Sequence, residues 1–455
     1  MSLPWTYLDE RADNAQLTPA PIFAERSGIV ISATHGPANV LTSYPYRCYI
    51  SPYERESQMC TVAPSNRKNH LRLLILMWLI ILVGCQGLPR QTSLVPAIRL
   101  EPVPDHGIQP LLATDARGVV HLIYFKKSAP DGTERSGHLY YRSYEQGRWS
   151  PALRVSSSPF DHQDAIARAS LAMDSNGRVH VGWLSSDLPA LMYSRSDIDR
   201  QGFATERAIV REPMQGVESS ASIAAGEDTV SIVWHAGDQD EEEERRVYAI
   251  SSQDAGVGFG AVRTLDAARL GACGCCDLAA SYGNNGHLLV AYRSAINGDG
   301  RHMQLLDTGP EGEFHGGTRL LSEWFIAGCP VTTSDFTHRT GINPGKSYLW
   351  LVFETRGRIY TFDAGNPGHS TPAPVRESLV PTRQKHPAIA VNDAGYRLIV
   401  WGEAPGYVAG GTLNLQLVDK TNRIQPAPDT RNLNIADHSA AAVATLKDGS
   451  FLVLY

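Results

Sequence analysis

The chain has 455 residues, 42% apolar and 19% charged, the make-up of a globular protein with enough apolar mass for a large core. Its formal net charge is −6, and no segment gathers Lys and Arg into a basic stripe. This argues against nucleic acid as a partner, because holding a phosphate backbone needs clustered positive charge.

Residues 1–58 carry no sustained helical or strand period. They read as an extension that is disordered or not natively made, with Met59 as the natural start; peptides from 1–58 in the native organism would refute this. Residues 59–84 have the layout of an export signal. Arg67 and Lys68 lead an apolar run from Leu71, which ends in Leu82-Val83-Gly84-Cys85. The run is short for a membrane-spanning helix, which needs about 20 apolar residues. Its last four residues resemble the lipobox of bacterial lipoproteins. The resemblance implies that Cys85 is lipidated and becomes the first mature residue, with an uncleaved N-terminal anchor as the alternative. Either way the body sits in the bacterial cell envelope, tethered to a membrane. Gln86 after the cysteine is compatible with outer-membrane sorting. Residues 85–93 form a polar tether, and 94–455 form the folded body.

The body repeats. Short apolar runs recur at 119–124, 179–183, 230–234, 288–292, 348–353, 397–401 and 451–455. Their spacing of about 50–60 residues is that of propeller blades. A strand of small residues and an Asp/Asn-Gly turn precede most runs, as in Asp174-Ser175-Asn176-Gly177. Third and fourth strands follow, as at 139–143 and 152–156. Four antiparallel strands per repeat make one blade, so the fold class is all-β, a β-propeller. Seven blades are favoured, with six as the alternative. The seventh lacks its outer strands, and residues 93–100 match a fourth-strand pattern able to complete it. Trp183, Trp234, Trp401, Tyr124 and Tyr292 end the second strands and read as packing between blades. His121 and His180 read as half-buried strand residues rather than ligands. The run from Asp240 to Glu244 reads as a solvated loop tip, with a cation-binding loop as the alternative.

Four of the seven cysteines, Cys273, Cys275, Cys276 and Cys329, fall within one window. Counting six residues back from each turn gives Gln109, Arg168, Ser220, Cys275, Cys329, His386 and Ala440, expected at one end of the innermost strands beside the axis. His106, His162, Asp164 and His438 lie just upstream of these positions. Three readings of the sulfur stand. Cys329 pairs with Cys275 or Cys276 in a disulfide set that also draws in Cys273, as export favours. Alternatively Cys275, Cys329 and His386 hold copper or zinc, which suit sulfur with imidazole. Or the thiols are free and redox-active. No cofactor is required by the other readings.

Ser252-Gln253-Asp254-Ala255-Gly256-Val257-Gly258-Phe259 resembles the Asp-box, or BNR, repeat of sialidase-like propellers, and Ser143 to Trp149 resembles a degenerate copy. The Cys-x-Cys-Cys cluster, Arg293, Arg301, Trp324 and Cys329-Pro330 resemble a narrower group of bacterial exported sialidase-like proteins. That group continues Gly-Pro-Ala, whereas this chain has Val331-Thr332-Thr333. The resemblance implies an arginine-lined anion site, for which Arg168, Arg293 and Arg301 are candidates, with Gln109 across the funnel. Glu218, Glu323, Glu354 and Glu403 are candidate carboxylates, none singled out by spacing. The expected function is that of an exported, lipid-anchored propeller binding a glycan, peptide or protein at its central funnel. The alternative is an enzyme: a sialidase-like glycoside hydrolase, or a metal-dependent catalyst using the Cys/His set.

Overall fold

The computed structural model describes residues 95–455 except 130–134, 186–188, 267–268, 310–313, 338–347, 377–382 and 407. The expected extension, export signal and lipidation site at Cys85 lie outside the described residues. Among the described residues, no helix is long and apolar enough to cross a membrane.

The body is a seven-bladed β-propeller. The first blade runs outward from Ile108–Thr114 through Val120–Lys127 to Ser136–Glu145, whose outer edge pairs with three short strands. Blades two to six are four-stranded meanders that start on Ser170–Met173, Ser222–Ala225, Ala279–Tyr282, Ser334–Phe336 and Gln384–Val391. The seventh begins with Ala442–Thr445 and Phe451–Leu454. Ile98–Glu101 completes it, as expected of the N-terminal segment, but as a third strand running parallel to Phe451–Leu454 rather than as an antiparallel fourth. Strands from both ends of the body thus close the ring and cover an edge that would otherwise lie open.

The apolar runs form strands because both their faces are buried. Along Val120–Lys127, Leu122 and Tyr124 pack against Ala442, Leu452 and Leu454 of the seventh blade. The intervening Ile123 and Phe125 pack against Leu171, Val181 and Trp183 of the second. Further interfaces centre on Trp234, Tyr292, Phe353, Trp401 and Leu415. Burying each such side chain contributes about 1.5–3 kcal/mol. The expected inter-blade role of the terminal aromatics is therefore met.

The hairpin turns are held by side chains. Asp115 accepts the Val119 amide at 2.8 Å, Asp174 that of Arg178 at 2.8 Å, and Asn392 that of Tyr396 at 2.9 Å. His121 and His180 are fully buried, not half-buried, because each joins such a turn to the third strand. His180 lies 2.7 Å from the Tyr193 hydroxyl and 3.3 Å from Asp174. His121 makes the same contacts with Tyr141 at 2.8 Å and Asp115 at 3.5 Å. The Asp-box-like segment is a turn between the third and fourth strands of blade three. Ser252 Oγ donates to Asp254 at 2.7 Å, and Asp254 accepts the Gly258 amide at 2.8 Å.

Candidate functional site

The innermost strands surround a small axial cavity of about 50 Å³. Arg168, Ser220, Asp277, Ser334 and Asp335 supply much of its polar lining, and Leu112, Ala388 and Val443 contribute apolar wall.

This lining corrects the register read from sequence. The Ile223 amide donates to Ser170 of the preceding blade, and the Ala280 amide to Ser222, both at 2.9 Å. Asp335 accepts the Ile389 amide in the same way at 3.2 Å, which puts Asp335 level with Ser170 and Ser222. In blade four the turn closes from the Gly283 amide to His287 O, as blade two's closes from Asp174 to Arg178. The residues level with Arg168 are therefore Asp277 and Thr333, not Cys275 and Cys329. The Gly/Asn-rich turn 283–286 offers several equivalent starting points for a count, and residues 338–347, after the innermost strand of blade five, lie outside the described residues.

Arg168 is 6% exposed, and its guanidinium makes no hydrogen bond among the described residues. Asp277 shares the cavity without a direct ion pair to it. Burial drives the Asp277 carboxyl well above the usual range against the pull of Arg168, while one of its oxygens accepts the Ser334 amide at 2.8 Å. His386 is buried nearby. Burial, then the charges of Lys385 and Arg168, hold its pKa down to about 3, so the ring is neutral. His386 Nδ1, Thr333 Oγ1 and Ser334 Oγ are buried without hydrogen-bond partners among the described residues.

Gln109 and His386 both precede proline, sit at β-bulges and have positive φ, 55° and 52°. Non-glycine residues adopt this backbone at a cost of about 1–3 kcal/mol, and such bulges re-aim side chains. Gln109 is satisfied by the carbonyls of Gln163 at 2.7 Å and His438 at 2.9 Å, so it braces the ring rather than offering free donors. Beside it His438 Nδ1 lies 2.6 Å from Asp164, and the His162 ring stands 5.0 Å from that of His438.

The thiols form a separate cluster, on the loop that enters blade four. Cys273 Sγ lies 3.5 Å from Cys275 Sγ and 3.5 Å from Cys276 Sγ. Cys329, from the loop that enters blade five, joins Cys273 and Glu242 in a group whose ligand atoms lie within 4.8 Å of one another. All four thiols are free; the first three are buried and Cys329 is exposed. Burial pushes the Cys276 thiol up to about 11, while hydrogen bonds from the Cys273 and Cys275 thiols lower the pKa of Cys329. His386 belongs to neither group of metal-competent ligand atoms found among the described residues, so Cys275, Cys329 and His386 do not assemble as a triad. His235 backs the cluster. Its Nε2 lies 2.9 Å from Cys276 O, and Arg245 donates to its Nδ1 at 3.2 Å. Those partners assign a neutral ring protonated on Nε2, and burial with Arg245 lowers its pKa to about 4.

The expected three-arginine anion site reduces to Arg168. Arg293 donates to the carbonyls of Arg301 and Glu354 and lies 5.0 Å from the Trp324 ring centroid. Arg301 donates to Glu242 and to Gly328 O. Both brace the cysteine loops and neither lines the axial cavity. Glu242 is correspondingly no solvated tip: its other oxygen accepts the Gly274 amide at 2.6 Å. Of the candidate carboxylates, Glu354 pairs with Arg293, Glu403 accepts from Trp401, Glu218 accepts from Gln239, and Glu323 is exposed beside Arg319. Sequence reasoning missed Asp277, Ser334 and Asp335. The signal that finds Asp335 is the small polar residue that blades two and three place at the same level, Ser170 and Ser222.

No family model and no curated protein matches the chain. It is similar to the solved Hadza microbial sialidase Hz136, at 17% identity over 66% of this chain and 64% of that one, with a TM-score of 0.42. A protein of unknown function from Dyadobacter fermentans is 13% identical over 71% of this chain and 96% of that one, with a TM-score of 0.46. The fucose-specific lectin from Aleuria aurantia is 11% identical over 71% and 97%, with a TM-score of 0.43. The chain spans 64% of the length of the Hadza sialidase. The architecture rests on the strand pairing itself rather than on these likenesses.

Proposed function

We propose that the chain is an exported, lipid-anchored binding protein that seats the carboxylate of a glycan or peptide end in its axial cavity, with Arg168 as the anion-binding group. The export signal and the lipobox-like segment ending at Cys85 support the tether. One observation carries the ligand class. Arg168, 6% exposed, lines the cavity with no hydrogen bond from its guanidinium among the described residues, and Ser334, whose buried Oγ is likewise unpartnered among them, lines the same cavity. An unpaired buried charge is costly, and a bound carboxylate relieves that cost through bidentate bonds. Asp277, whose pKa is raised, offers an O–H to the same ligand.

The test uses titration calorimetry on the full-length protein with glucuronate and, for comparison, glucose. Binding of glucuronate but not glucose, weakened at least tenfold by Arg168→Ala, is expected. Equal affinity in Arg168→Ala overturns the proposal. The glycoside-hydrolase reading has one observation in its favour, the shared cavity of Asp277 and Asp335. Each, however, already holds a backbone amide of the next blade. Release of sugar from a glycoside, abolished by Asp277→Asn, would favour that reading instead.

A further inference from the structure

We propose that Cys273, Cys275, Cys276 and Cys329 together bind one thiophilic d10 ion, Zn(II) or Cu(I), and that this ion clips the entry loop of blade four to that of blade five. The site is separate from the axial cavity and does not use His386.

The sulfur spacing carries the inference. A disulfide holds its sulfurs about 2.05 Å apart, and adjacent cysteines such as Cys275 and Cys276 pair only with strain. A tetrahedral thiolate site with bonds of about 2.3 Å spaces its sulfurs about 3.8 Å apart. The observed separations of 3.5 Å from Cys273 to both Cys275 and Cys276 lie close to the second arrangement and far from the first. The sulfurs come from two chain segments, and Cys273, the hub, reaches Cys329 across the blade boundary.

The ligand set follows from the hydrogen bonds. Glu242 stands close enough to join, but one of its oxygens accepts the Gly274 amide and the other Arg301. Its role is to brace the loop, as outer-shell carboxylates do, which leaves four sulfurs as ligands. Soft sulfur ligands select these ions over hard cations. The surroundings suit thiolates. Arg245 and Arg301 place positive charge beside the cluster, and each thiol that coordinates gives its proton to solvent. Three thiols are buried and Cys329 is exposed, so the ion has a route in from solvent.

The test uses full-length protein, reduced and handled without oxygen, and given Zn(II) alone or Cu(I) alone before desalting. The expected result is one ion per chain, with the thiols shielded from a thiol reagent until a chelator removes the ion. The arm that gives the tighter complex identifies the ion. Cys329→Ser changes an exposed residue, so its fold is expected to be retained, as checked by circular dichroism; it should weaken binding more than about 10-fold, as should Cys275→Ser. Co(II) in place of the ion should give the intense visible bands of a tetrahedral thiolate site. The inference is overturned if the reduced protein takes up neither ion in stoichiometric amount, or if both substitutions leave affinity unchanged. Calorimetry with glucuronate is not among these readouts, so failure here leaves the axial-cavity proposal standing.

Discussion

Arg168 is the residue on which the axial site turns. It lines the axial cavity, and Asp277, which shares that cavity, is held toward its protonated form by burial. Arg168→Lys keeps the charge but loses the planar fork, so a tenfold or greater loss of carboxylate affinity is expected by calorimetry. Gly256 is a second decisive residue. Its φ is 81°, and a Cβ there would run into the Tyr193 hydroxyl, itself bonded to buried His180. Gly256→Ala should cost at least about 1–3 kcal/mol, read as a lower denaturation midpoint with unchanged carboxylate affinity. The Ser-x-Asp-x-Gly turn was legible in the sequence because its bonds are local. The Tyr193 contact was not, since that side chain comes from the neighbouring blade.

At the scale of elements, strands were easy to find and their phase was not. An apolar run with a turn before it identifies a second strand, because burial on both faces demands continuous hydrophobicity. Nothing in the run says how far back the innermost strand meets the axis. Cys275 and Cys329 were expected at the axial level on a count from the turns. The bonds linking Ser170, Ser222 and Asp335 to the next blade put Asp277 and Thr333 there. The cysteines consequently moved off the axis into the entry loops, where they meet each other rather than His386. The closing strand Ile98–Glu101 can be tested directly. Arg99 pairs with Leu452, and the neighbouring bonds run from the Phe451 amide to Ala97 O at 2.9 Å and from the Tyr455 amide to Glu101 O at 3.2 Å. Arg99→Pro should remove a bond of this ladder, at a cost of about 0.5–1.5 kcal/mol in a denaturation curve.

At the scale of the whole molecule, stability should depend on pH through His386. Its pKa falls from 6.5 to about 3 on folding, because burial and the nearby cations disfavour the charged ring. Between those values the unfolded chain holds more protons than the native one, so stability rises with pH across the window and is lost on acidification. Going from pH 7 to pH 5 should cost about 2 kcal/mol from this residue. His386→Asn should flatten that slope in denaturant melts at the two pH values, and an unchanged slope would refute the assignment.

The residues alone determined that the body is a ring of β-blades and which aromatics pack between them, because those properties follow from local periodicity and turn chemistry. They also placed four of the cysteines within one window of the chain. Only the tertiary structure decided which polar groups face the axis, that Arg168 stands there without Arg293 and Arg301, and that Glu242 braces the thiol loops. Those outcomes depend on bonds between blades some 50–60 residues apart, and no pattern within a single repeat encodes the register between neighbours.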